Sequence, residues 1–179
     1  DFVNGKLSGK GATYYIIGEK HEGQYQNGEF NGKGTYTSES GNKYVGNFLD
    51  GDKSGYGVFT WSDGEKYIGK WKNNMFFKGE YQFANGNKYV GTYKDDLEHG
   101  SGIFTWADGD KYEGDWVKGW REGKGKYFYQ SGTIYKGDFV QNYAEGKGTI
   151  IYSDGSEYIG EFKNGDENGQ GSITYPNGD

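Results

Sequence analysis

Lys66-Tyr67-Ile68-Gly69-Lys70-Trp71 alternates at every step: Tyr67, Gly69 and Trp71 fall on one side, Lys66, Ile68 and Lys70 on the other. A period of two is the signature of a strand with two unlike faces. The same block recurs as Tyr44-Val45-Gly46-Asn47-Phe48, Tyr89-Val90-Gly91-Thr92-Tyr93, Tyr112-Glu113-Gly114-Asp115-Trp116, Tyr135-Lys136-Gly137-Asp138-Phe139 and Tyr158-Ile159-Gly160-Glu161-Phe162. His21-Glu22-Gly23-Gln24-Tyr25 opens the series, and every step is 23 residues except one of 22. A fixed period of this length marks a repeat architecture, in which each unit buries its apolar face against the next.

A second block keeps the same period. Gly-x-Gly-x-aromatic appears at Gly32–Tyr36, Gly55–Phe59, Gly100–Phe104 and Gly123–Tyr127, and it recurs at Gly146/Gly148 and Gly169/Gly171 with Ile150 and Ile173 in last place. A third mark is a glycine after a small or polar residue, as in Asp63-Gly64. The spacing predicts an antiparallel meander of about fifteen strands with one continuous aromatic face. A five-residue loop such as Asp50–Ser54 is expected inside each repeat, and a tight turn such as Asp63-Gly64 between repeats. The glycine between two rings leaves a gap that a neighbouring ring is expected to fill. On this reading Tyr44, Phe48, Trp61, Tyr67, Trp71 and Tyr89 line an aromatic groove whose role is mainly structural. Tyr93, Trp106, Tyr112, Trp116, Tyr135 and Phe139 continue it.

Composition agrees with a thin, ring-held structure. Apolar residues make up 32% of the 179, aromatics alone 19%, and 35 residues are glycine. A chain this rich in aromatics is unlike a disordered one. No run approaches the length of a membrane-spanning helix. The charge is uneven: residues 1–90 carry 11 basic and 10 acidic side chains, and residues 91–179 carry 9 basic and 16 acidic. That acidic half argues against a nucleic-acid partner, which a basic stripe would attract.

These blocks resemble the MORN repeat over nearly the whole chain, through their joint spacing. The resemblance implies an all-β, elongated, single-layer antiparallel sheet of tandem 23-residue hairpins. Repeat phasing gives a half repeat over 1–18 and seven repeats starting near 19, 42, 65, 87, 110, 133 and 156. The chain is therefore expected to be a piece of a longer array, because it begins halfway through a repeat. Proteins of this family resemble scaffolds: axonemal spoke components, membrane-junction proteins, protist cytoskeletal proteins, and arrays attached to lipid kinases or a histone methyltransferase. Some are proposed to bind phosphoinositides and others to dimerise.

Nothing points to catalysis. There are two histidines and no cysteine, so a metal site is not expected, nor is a cofactor. Asp63, Asp108 and Asp154 precede glycines and read as turn residues. Gly-Lys-Gly at 32–34, 123–125 and 146–148 lacks the order and the helix of a phosphate loop. His99 reads as a loop residue and His21 as a member of the ring face.

Regularity fails in one place. Leu97, Trp120 and Tyr143 share one column, read as a loop position, where Lys6, Glu29, Asp52 and Asp166 stand in other repeats. Met75, Phe76 and Phe77 precede them and replace a polar loop one residue longer. Exposed apolar ridges with Trp, Tyr and Met mark interfaces; folding over the hairpin ends to shield the rings is the alternative. The expected function is a non-enzymatic protein-interaction scaffold that binds a protein partner or a second copy, in the cytoplasm at the cytoskeleton or a membrane. An alternative is a peripheral module binding anionic phospholipid through Lys43, Lys66, Lys70 and Lys88. A second is a regulatory array of a larger enzyme.

Overall fold

The computed structural model describes residues 2–178; Asp1 and Asp179, the ends of the expected array, lie outside the described residues. Strands β1 (Phe2–Val3) and β2 (Lys6–Leu7) form a short ribbon. The main sheet has fifteen strands paired in chain order, with no helix among the described residues. It runs through β3 (Gly9–Tyr14), β4 (Lys20–Gln26), β5 (Glu29–Thr37), β6 (Lys43–Leu49) and β7 (Asp52–Thr60). Next come β8 (Lys66–Lys72), β9 (Met75–Gln82), β10 (Lys88–Lys94), β11 (Leu97–Thr105) and β12 (Lys111–Val117). The last are β13 (Trp120–Phe128), β14 (Ile134–Val140), β15 (Tyr143–Ile151), β16 (Glu157–Lys163) and β17 (Asp166–Thr174). The expected all-β meander is present. Contacts group the described residues into two compact units, one running up to residue 85 with 94–96, the other 86–93 with residue 97 onward.

Each unit is organised around a row of glycines. In the first, Gly11, Gly23, Gly34, Gly46, Gly57, Gly69 and Gly79 face one another from strand to strand. In the second, Gly102, Gly114, Gly125, Gly137, Gly148, Gly160 and Gly171 do the same. The neighbouring ring that fills the gap comes, at Tyr44, Tyr67, Tyr89, Tyr112, Tyr135 and Tyr158, from the same strand two residues earlier, each over two glycines, whereas Gly34 meets Phe48 of the next strand. Tyr44 leans along β6 over Gly46 and the facing Gly57, where a Cβ on either glycine would meet its Cζ at 2.5 Å. Side chains in strands lean along the strand direction, and two facing residues without Cβ make room for a whole phenol.

The hydroxyl at the end of that phenol has a fixed acceptor. Tyr44 donates to the carbonyl of Asn47 at 2.9 Å and Tyr67 to Lys70 at 2.8 Å. In the second unit Tyr89, Tyr112 and Tyr135 donate to Thr92, Asp115 and Asp138 at 3.0–3.1 Å. Asn47, Lys70, Asp115 and Asp138 lie where the ladder register shifts, so the phenol serves a carbonyl that the bulge displaces from regular pairing. Tyr44, Tyr67, Tyr89 and Tyr112 are fully buried. Burial pushes the Tyr44 and Tyr67 hydroxyls up to about 12.

Rings then stack from repeat to repeat. Tyr112 meets Trp116 of its own strand edge-on at 5.3 Å and Phe139 of the next repeat at 4.9 Å. Tyr44 likewise lies between Phe48 at 5.0 Å and Trp71 at 5.3 Å. Edge-on pairs at these distances suit the aromatic quadrupole.

The connections differ from expectation. Inside each repeat the turn is two residues long, not five: Asp50-Gly51 and Lys118-Gly119 have both φ angles positive, and Asp52, Lys53 and Ser54 belong to β7. Paired positive φ values match the right-handed twist of a hairpin. Between repeats the connection is wider: Trp61 N–H donates to Glu65 O, and Gly64, at φ 95°, closes a turn onto Trp61 O. The 22-residue step also has a cause. Most hairpins insert a bulge containing a positive-φ glycine such as Gly55, whereas β9 carries the single extra residue Phe77.

Candidate functional site

Because the inner turn is so short, the column read as a loop is in fact the first residue of a strand. Met75, Leu97, Trp120 and Tyr143 begin β9, β11, β13 and β15. Alternation places them on the face opposite the rings: Trp120 pairs with Val117 and Tyr143 with Val140. All four are exposed, Trp120 at 51% and Tyr143 at 57%, and so are Val117 and Val140. They therefore do not shield the aromatic face. In the second unit each turn docks on the previous repeat, through Gly119 N–H to Glu98 O and Asn142 N–H to Arg121 O. This docking sets Leu97, Trp120 and Tyr143 side by side, one repeat apart. The first unit carries Met75, exposed, and Phe77, half exposed at the bulge. Phe76 leaves the ridge: it faces Trp71 and stacks on Tyr67 at 4.1 Å, inside the ring face.

Phe76 belongs to a second column that the loop assignment hid. It comprises Phe30, Lys53, Phe76, Glu98, Arg121, Ala144 and Glu167, each nine residues after the residue that opens its repeat. In the first unit Lys53 Nζ lies 5.1 Å from the Phe59 ring and 5.0 Å from Trp71. In the second, Arg121 is ringed by Trp106, Tyr112, Tyr127 and Phe139 at 5.2–5.6 Å and donates to the carbonyl of Asn142 at 2.7 Å. Burial lowers both pKa values. Neither cation makes an ion pair with a carboxylate among the described residues; ring faces hold both, helped by Asn142 at Arg121 and by the more distant Asp96 and Asp52 at Lys53. Carrying the strand alternation through residue 52 would have found this column. Next to Arg121 a cavity of about 210 Å³ opens over Ala144, lined by Tyr129, Tyr135, Phe139, Ile150 and Phe162.

The opposite face of the second unit has a basic concavity of about 590 Å³ around Lys124, Lys126, Lys136 and Lys147, floored by Gly125, Gly137 and Gly148. Lys126 faces Lys136 directly across the ladder, an unfavourable like-charge pair, while Lys124 bridges Asp138 at 2.6 Å. Of the lysines singled out from sequence, Lys43 and Lys66 flank Thr60 in the first unit. Lys70 lies over the Tyr56 ring at 5.5 Å, and Lys88 begins β10 in the second unit.

The remaining polar groups do structural work. Asp63, Asp108 and Asp154 accept backbone N–H groups two residues on, as expected of turn residues. His99 lies in β11 rather than a loop, since that loop is a two-residue turn. His21 takes the tyrosine position among Tyr15, Phe30 and Tyr36. No cluster of metal-binding side chains occurs among the described residues.

The MORN repeat matches the chain at residues 1–19, 21–43, 44–66, 67–88, 89–111, 112–134, 135–157 and 158–179. No curated protein matches it. Among solved structures it is similar to the TCP domain of SAS-4 (dCPAP) of Drosophila melanogaster in complex with a proline-rich motif of Ana2 (dSTIL). Identity there is 14% and the TM-score 0.56, over 95% of this chain and 86% of that one. It is also similar to the TCP10c domain of Drosophila melanogaster Sas-4, at 15% identity and TM-score 0.51, over 95% of each chain. At these identities the likeness is one of fold.

Proposed function

The chain belongs to the MORN repeat family, and we propose that it is a non-enzymatic protein-interaction scaffold whose partner contact is the exposed ridge of the second unit. The observation that carries this reading is the set Leu97, Val117, Trp120, Val140 and Tyr143, exposed on one face beside the hairpin turns. An unfilled apolar surface of this kind costs solubility. Tryptophan and tyrosine are also the side chains on which interface energy concentrates. The fold neighbour that holds a proline-rich motif supports the general idea that such a sheet serves partner segments. The partner is a cytoskeletal or membrane-associated protein or a second copy of the chain, in the cytoplasm.

Lys118, in the turn next to Trp120, gives a direct test. Lysine-reactive crosslinking of the full protein with its partners, read by mass spectrometry, should concentrate partner links at Lys118. Links that avoid Lys118 and gather on first-unit lysines would refute the ridge.

A second reading, an anionic-lipid surface, is favoured by Lys126 facing Lys136 over the glycine floor. On this reading Lys43, Lys66, Lys70 and Lys88 are secondary contacts. Sedimentation with acidic liposomes at two salt concentrations tests it: lipid binding requires acidic lipid and weakens with salt.

A further inference from the structure

The cage around Arg121 shows what fills a ring-lined hollow in this sheet. Its four walls are Trp106, Tyr112, Tyr127 and Phe139. One repeat further on, the same positions are Tyr129, Tyr135, Ile150 and Phe162, three rings and an isoleucine. The side chain that should occupy them is Ala144, which ends at Cβ, and the space above it is the cavity of about 210 Å³. We propose that this hollow receives a lysine or arginine side chain from a basic partner segment, in the place the protein's own cation takes at Arg121 and, in the first unit, at Lys53.

Two independent observations bear on a cation as the occupant. The first is internal precedent: this position holds a cation over ring faces at Lys53 and Arg121, which ring faces attract, and an apolar ring at Phe30 and Phe76, so the site accepts a cation and charge must decide between the two. The second is charge. Residues 91–179 carry 16 acidic against 9 basic side chains, which draws a basic segment toward this half. Locally, Arg121 forms one wall, with its guanidinium held by Asn142 and by Phe139. Phe162 on another wall is paired in the ladder with Glu167. Among the described residues the cavity lining carries the Arg121 cation and no carboxylate, and the Glu167 carboxylate accepts from Tyr152, so the incoming cation sits away from Arg121, against the Tyr135 and Phe162 rings. This inference rests on the scaffold reading; the hollow shares Tyr143 with the ridge but not Leu97 or Trp120, so the Lys118 crosslinks beside Trp120 keep the two failures distinguishable.

The test is a nuclear magnetic resonance titration of the full chain, following the Tyr135 and Phe162 rings. The probes are acetyl-Gly-Arg-Gly-amide, its lysine counterpart and its leucine counterpart. The arginine and lysine peptides should shift both rings, with the leucine peptide at least tenfold weaker. Ala144→Arg, which supplies the missing cation from within, should melt higher than wild type and abolish the response; Ala144→Lys, patterned on Lys53, should do the same. The proposal is overturned if leucine shifts the rings as strongly, if no probe shifts them, if the substituted chains still respond, or if neither variant folds. Unchanged Lys118 crosslinking alongside any of these would leave the scaffold reading standing.

Discussion

Gly57→Ala is expected to be among the most damaging single substitutions in the first unit, although its backbone conformation is one any residue adopts. The added Cβ would lie 2.5 Å from Tyr44 Cζ. Tyr44 has nowhere to go, being fully buried between Phe48 and Trp71, so the ring must leave its site. Its departure forfeits about 2 kcal/mol of burial and about 1 kcal/mol for the hydrogen bond to Asn47. Two edge-on ring contacts add about 0.5–1.5 kcal/mol each. Restricting the unfolded chain returns about 0.5–1 kcal/mol, leaving a net loss of roughly 3–5 kcal/mol. Gly55→Ala is the control: nothing lies closer than 3.5 Å to its added Cβ, but its φ is 67°, so only backbone strain of about 1–2 kcal/mol applies. Urea unfolding of both variants, and of Gly57→Ala in a Tyr44→Ala background, tests the argument. With the ring gone, Gly57→Ala should cost almost nothing. Additive losses in the double variant, or a Gly57→Ala milder than Gly55→Ala, would refute the claim that the glycine row exists to seat the phenols.

Arg121→Ala should destabilise the second unit by about 2 kcal/mol through lost ring contact and the lost bond to Asn142, measurable as a shifted denaturant midpoint. Burial holds the His21 imidazole below its ordinary value of 6.5, and its Nδ1 has no hydrogen-bond partner among the described residues. The folded state therefore prefers the neutral ring, so this contribution is intact above pH 6.5 and falls as the pH drops through 6.5. His21→Tyr should remove that component of the pH dependence, seen by comparing midpoints at pH 7.5 and 5.5. The Tyr44, Tyr67 and Tyr135 hydroxyls, raised to about 12 by burial, should stay un-ionised as exposed phenols titrate near 10. Their stabilisation is complete below pH 10 and lost as the pH rises toward 12, which phenolate absorbance follows directly.

The period, the two faces and the antiparallel order were legible because they depend on side-chain alternation, which a sequence displays openly. The source of the ring over each glycine was not legible. Alternation says that Tyr44, Gly46 and Phe48 share a face, but not that Tyr44 leans along its own strand to donate to Asn47. The turns were misread for a related reason. Asp50–Ser54 is polar throughout, and composition does not reveal that positive φ at Asp50 and Gly51 closes the hairpin in two residues. That single error displaced the following strand, turned the Trp120 column into a loop, and hid Lys53, Arg121 and Ala144 on the ring face. Leu97, Trp120 and Tyr143 still stood out, because exposed apolar residues in a polar column are visible wherever the strand begins. Phe76 did not separate from Met75 and Phe77, since its stacking on Tyr67 depends on register.

The central claim is that regular rings hold the sheet while the irregular, exposed ones bind. It is tested most directly by quantifying partner capture by the Trp120→Ser/Tyr143→Ser double variant against wild type at equal folded concentration. The account predicts wild-type unfolding with capture, or self-association, reduced at least tenfold. Undiminished capture by the folded variant would contradict it.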